Sequence, residues 1–235
     1  MDEVERIVAC CKAVLPLERA ELGGEYGYNC LPLCVIDAVW SIGVRYGGVK
    51  NVVARYCTHC GLHTDAACEQ HGIEDFLHTM QAQGVLGFAD KVFRNAQRTS
   101  TRNGILKAEA VYLFASVLHK HGMNTMKDVP KILWYEDLHH ELCKPYAQEI
   151  LTLPGQRSGI SLSYFYMLTG SSGLVKPDRM VFRFLTETLG RDVTDVDSQR
   201  LISYASRRLN TGNPQMTPRM LDHQIWKYQS GRNTS

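Results

Sequence analysis

The chain has 235 residues, enough for one large domain or for two lobes sharing a core. Its composition is ordinary for a soluble protein, and a net charge of +2 is too small to announce a nucleic-acid surface, so any basic face has to be local. No apolar run approaches the roughly 20 residues of a membrane span and no signal peptide opens the chain, so its eight cysteines fit reduced thiols in a cytoplasmic compartment.

Residues 2–15 read as an amphipathic helix, with Val4, Ile7, Val8, Cys11, Val14 and Leu15 on one face and Pro16 at its end. Residues 22–29 (LGGEYGYN) are turn-rich and read as a crossing between two lobes. The apolar stretch 31–46 reads as one buried helix with Pro32 in its first turn. Val49, Val52, Val53 and Tyr56 then repeat at helical spacing after Gly47 and Gly48. The pair Cys57 and Cys60, with Cys68, His63 and His71 nearby, has the form of a zinc half-site. No matching second half-site follows, and buried cysteine is a routine small apolar residue, so no metal is assigned.

Residues 73–81 read as a helix and 84–90 as a loop or turn. The next stretch is locally basic, with Arg94, Arg98, Arg102 and Lys107, and leads into a long apolar helix through Leu118. That basic face fits a solvated helix surface and a nucleic-acid contact equally. A helix over 131–142 then leads into LPGQRSG at 153–159. In that turn Pro154 fixes φ, and Gly155 and Gly159 permit conformations closed to other residues. The helix from about Ile160 starts with amides that have no partner inside the helix, which favours an anion there, and Arg157 adds a positive charge. Further on, Val181, Phe184, Leu185 and Leu189 mark a helix ended by Gly190. Thr194 to Asp197 has the form of a capping box, and Thr217-Pro218 starts a last helix with Leu221, Ile225 and Tyr228 inward.

The stretch 150–189 resembles the helix-hairpin-helix and following loop of the HhH-GPD superfamily of DNA glycosylases, which includes endonuclease III. The family hairpin reads L-P-G-x-G-x-x-[TS]-A, and this chain reads Leu153-Pro154-Gly155-Gln156-Arg157-Ser158-Gly159-Ile160-Ser161. The family's Val-Asp-x-x-[VI]-x-Arg segment matches Pro177-Asp178-Arg179-Met180-Val181-Phe182-Arg183. Residues 103–108 resemble, more weakly, a helix-opening segment of endonuclease III. Two departures stand out: Arg157 occupies the usual place of the second hairpin glycine, and Gly159 occupies the place of the lysine found in members that also cut the strand.

The resemblance implies an all-α fold of two helical lobes. One spans 31–170 and ends in the hairpin; the other combines 1–30 with 171–235. It implies a monofunctional glycosylase that flips a damaged or modified base out of double-stranded DNA and hydrolyses its N-glycosidic bond with Asp178. Gly155, Gln156, Arg157, Ser158, Gly159, Lys176 and Arg179 would contact DNA. Tyr28, Asn29 and Trp40 are candidates for the base pocket, and Arg45 and Tyr46 for filling the gap left by the base; core packing, a turn and surface exposure account for the same residues. Without cysteines after Cys143, no iron–sulfur cluster is expected, and no other cofactor. A monomer, cytoplasmic or associated with a nucleoid and without a membrane partner, completes the expectation. A non-catalytic DNA-binding protein on the same scaffold is the competing one.

Overall fold

The computed structural model describes residues 2–22, 27–44, 46–63, 65–176, 178–210 and 216–232, with the side chain of Tyr46 left aside. The fold is all-α: thirteen helices and no strand occur among the described residues. In chain order they are α1 (Glu3–Val14), α2 (Leu31–Trp40), α3 (Tyr46–Cys60), α4 (Asp65–Gln70), α5 (Ile73–Gln83), α6 (Val85–Phe88), α7 (Lys107–Lys120), α8 (Tyr135–Leu142), α9 (Pro145–Thr152), α10 (Ile160–Leu168), α11 (Arg179–Leu189), α12 (Asp195–Leu209) and α13 (Pro218–Gly231).

Helix starts follow local chemistry. Asp2 opens α1 with a capping box: the Glu5 N–H donates to the Asp2 carboxylate at 2.8 Å, and the Glu5 carboxylate receives the Asp2 N–H. The hydroxyl of Thr194 accepts from the Asp197 N–H at 3.1 Å, and that of Thr217 from the Met220 N–H at 3.2 Å. Gly190 closes α11 in the left-handed conformation, φ 70°.

The chain divides into two compact units. One comprises 1–26, 131–139 and 170–235, the other 27–130 and 140–169, so 131–139 groups with the terminal segments and not with the central stretch. In the terminal unit, α1, α11, α12 and α13 enclose a core that includes Ile7, Val181, Phe184, Leu185, Ile202 and Ile225. In the central unit, α2 lies against α3, α7 and α10, and all ten of its residues are buried. Trp40, Tyr56, Phe76, Phe88 and Phe93 form an aromatic cluster beside it; Trp40 meets Phe93 edge-on at 4.7 Å between centroids.

Three expectations from the sequence change. The helix over 31–46 stops at Trp40, because a turn with Gly43 at φ 70° intervenes before α3. The stretch 84–90 is helical: α6 runs into a π-helical turn over Ala89–Phe93, which buries Phe88, Val92 and Phe93. The helix over 131–142 starts only at Tyr135. The Trp134 N–H donates to the Asp137 carboxylate at 3.0 Å, and Ile132 before it lies outside any helix, its N–H donating to Ser171 Oγ and its carbonyl accepting the Gly173 N–H at 3.0 Å each. Half of the expected crossing at 22–29, residues 23–26, lies outside the described residues.

Candidate functional site

The hairpin α9–turn–α10 lies within the central unit. The Gln156 N–H donates to the Leu153 carbonyl and the Gly159 N–H to the Gln156 carbonyl, each at 3.0 Å, so the loop is two consecutive tight turns. Gly155 at φ 83° and Gly159 at φ 72° both occupy left-handed backbone. Gly159 is the residue from which α10 starts, and its carbonyl accepts the Ser163 N–H. Arg157 and Ser158 are exposed at the tip.

Gln156 departs from its expected role. Its side chain is buried, and its carbonyl oxygen accepts the Ser161 hydroxyl. It fastens the turn onto the first turn of α10 and does not face outward to nucleic acid.

Asp178 belongs to the terminal unit and opens α11. One oxygen of its half-exposed carboxylate accepts the amides of Met180 at 2.7 Å and Val181 at 3.1 Å. Those two donors and the helix dipole stabilise negative charge at that point. Arg179, the first residue of α11, is exposed, and Lys176 is half-buried.

The loop that delivers Asp178 is held from behind by two buried side chains that the sequence did not single out. Gln199 on α12 grips Val175 twice: its Oε1 accepts the Val175 N–H at 3.0 Å, and its amide donates to the Val175 carbonyl. Asp222 on α13 accepts the Lys176 N–H at 3.4 Å. Burial, and next the charge of Asp178, push the Asp222 carboxyl up to about 8. A sequence signal for it existed: Asp222 falls three positions before Ile225 and one after Leu221, on the inward face of α13.

The candidate pocket residues have structural employment in the central unit. Trp40 is fully buried in the aromatic cluster, so it has no face for a base. The Tyr28 hydroxyl donates to the buried Asp37 carboxylate at 2.8 Å, and Ser41 donates to the other oxygen at 2.6 Å. Asn29 is exposed. Arg45 and the side chain of Tyr46 lie outside the described residues. The basic stretch also changes: Lys107 is buried and donates to the carbonyls of Trp40 at 2.9 Å and Ile42 at 2.7 Å, where it caps the C-terminal end of α2.

Cys57, Cys60 and Cys68 are half-buried free thiols. Burial raises all three, Cys57 to about 11. No group of three His, Cys, Asp or Glu side chains is arranged to hold a metal among the described residues. A surface cleft of about 310 Å³ nearby is lined by His59, Cys60, His71, Asp75, His78 and Thr79. His71 is engaged there with the Tyr56 hydroxyl at 2.6 Å.

No helix among the described residues is long and apolar enough to cross a membrane. No curated protein and no solved structure matches the chain. A family model does match it, over residues 5–230, and by that match the chain belongs to the family described as Domain of unknown function (DUF8548).

Proposed function

We propose that the protein is a monofunctional DNA glycosylase of the HhH-GPD type, with two helical lobes, acting as a monomer on double-stranded DNA. The observation that carries the reading is Asp178: a half-exposed carboxylate locked in direction by two amides at the start of α11, on a loop anchored by Gln199. Support also comes from the hairpin. Its two left-handed glycines bring an exposed arginine to the tip and leave the start of α10 without a side-chain cap on Gly159. Such a helix start suits a phosphate.

In this reading the hairpin grips the backbone beside an extruded nucleotide. Departure of the base leaves positive charge on the sugar ring. The carboxylate of Asp178 stabilises that charge and orients, as a general base, the water that attacks it. Gly159 offers no amine for a Schiff base, so the strand is left uncut.

The test is base release from a panel of duplexes, each carrying one damaged or modified base. The wild type forms abasic sites on at least one duplex. Asp178→Asn lowers that rate by on the order of 10²-fold or more while DNA binding persists. Binding without release from any duplex would favour a second reading, a non-catalytic helix-hairpin-helix DNA-binding protein. The specific observation on its side is that capping α11 is by itself a sufficient employment for Asp178.

A further inference from the structure

Asp178 and Asp222 are two carboxyl groups brought to one short loop by different helices, and their surroundings are not equivalent. Asp178 is half-exposed and has two amides on one oxygen, both within 3.1 Å. It is built to hold a negative charge. Asp222 is 8% exposed, and its backbone donor, the Lys176 N–H, is 3.4 Å away, at the limit of a useful hydrogen bond. Little water reaches it to solvate a charge, and a second charge there would face the first.

The largest charges acting on Asp222 are Asp178 from the start of α11, Lys176 from the loop, and Arg219 from the first turn of α13 itself. From α12 the loop meets Gln199, a neutral side chain occupied with Val175. Burial and Asp178 favour the acid form, while Lys176 and Arg219 favour the carboxylate. The first two prevail, with a value of about 8.

We propose that Asp222 is a positioning residue that keeps its proton at neutral pH, so that the pair carries a single negative charge and carries it on Asp178. The functional half of this inference rests on the glycosylase reading; the proton assignment does not. With one charge in the pair, nothing repels Asp178 from its two amides. When Asp222 ionises, its charge repels that of Asp178 at a loop whose Val175 end is clamped by Gln199. The strain then falls on the Asp178 end, and the carboxylate leaves its catalytic direction.

Carbon-13 NMR of the aspartate carboxyls in the full chain tests the proton directly, using wild type, Asp222→Asn and Asp178→Asn. In wild type, one resonance that vanishes in Asp222→Asn titrates near pH 8, and in Asp178→Asn it moves to lower pH because the like charge is gone. A resonance assigned to Asp222 that titrates near the ordinary value of about 4 overturns the proposal. If Asp222→Asn does not fold, Asp222→Glu supplies the assignment, because the same aspartate resonance disappears and a glutamate carboxyl replaces it.

The functional half is read from single-turnover base release on whichever duplex the panel identifies. The wild-type rate falls about tenfold per pH unit above pH 8, and Asp222→Asn lacks that fall. The same fall in both overturns the positioning role. Titration near pH 8 with no release from any duplex sinks the glycosylase reading and the positioning role with it, while the proton assignment stands. Release with an ordinary titration does the reverse.

Discussion

At Gly155 two independent requirements meet. Its φ of 83° excludes most side chains, and a Cβ added there would lie 2.5 Å from Thr99 Cβ. Gly159, four positions on at φ 72°, has only the first requirement, since its Cβ would meet Leu151 Cδ2 at an ordinary 3.5 Å. Gly155→Ala therefore costs more than Gly159→Ala: at least about 3 kcal/mol against about 1 kcal/mol, read as the shift in denaturant midpoint. Equal losses would mean that the close approach of Thr99 to the turn is not maintained in solution. The glycines of this turn were legible because a conformational demand leaves its mark on residue type. Gln156 was not, because a buried glutamine paired with a serine reads in sequence as two solvent-facing polar residues. Asp222 was hidden for a similar reason: an acid on a helix is assigned outward by default, although its neighbours Leu221 and Ile225 put that position inside.

The end of α2 shows how one side chain can terminate an element from a distance in sequence. Lys107 brings an ammonium to the carbonyls of Trp40 and Ile42, at the negative end of the helix dipole. Burial opposes the charge and pushes the amine down to about 8, while the two acceptors favour keeping it. Lys107→Met retains the stem and removes the donors, leaving two carbonyls without their partner; a loss of about 3 kcal/mol in chemical denaturation is expected. An unchanged midpoint would show that water replaces the ammonium. Helices with caps written in adjacent residues, such as α12 behind Thr194 and α13 behind Thr217, were legible in the sequence. The end of α2 was not, because Lys107 lies 67 positions beyond Trp40 (107 − 40). The helical course within 84–90, read from sequence as a loop or turn, was missed for the opposite reason: Gly84 and Gly87 suggest a loop, and the burial of Phe88 overrides them.

Across the whole molecule, the ionisable groups divide by where they sit. The carboxylates of Glu3, Glu149, Glu187 and Asp197 are held below their usual range by hydrogen bonds from Arg191, Lys120, Arg232 and Arg200 respectively. Their contribution is present above the ordinary carboxylate range and lost as acid is added, but these pairs lie at the surface, where solvent and salt reduce them to little. Asp222 works in the other direction. The folded chain holds its proton up to about pH 8 and the unfolded chain releases it near the ordinary value, so its contribution is full in acid and is lost as pH rises through about 8. Wild type should therefore lose stability relative to Asp222→Asn between about pH 5 and about pH 9, with the loss unaffected by salt; parallel curves would place Asp222 among ordinary carboxylates.

Helix α2 has a further consequence, in the order of synthesis. All ten of its residues are buried, and two of the helices that cover it, α7 and α10, begin at Lys107 and Ile160. The 120 residues from Trp40 to Ile160 (160 − 40) take roughly 6–24 s to make at about 5–20 residues per second. For that interval the nascent chain carries LPLCVIDAVW without its full cover, in a form attractive to chaperones and to other nascent chains. Its single charge, Asp37, is then more than the acceptor for Tyr28 and Ser41. With Pro32 near the start of the segment, it resists aggregation while the rest of the unit is still being made.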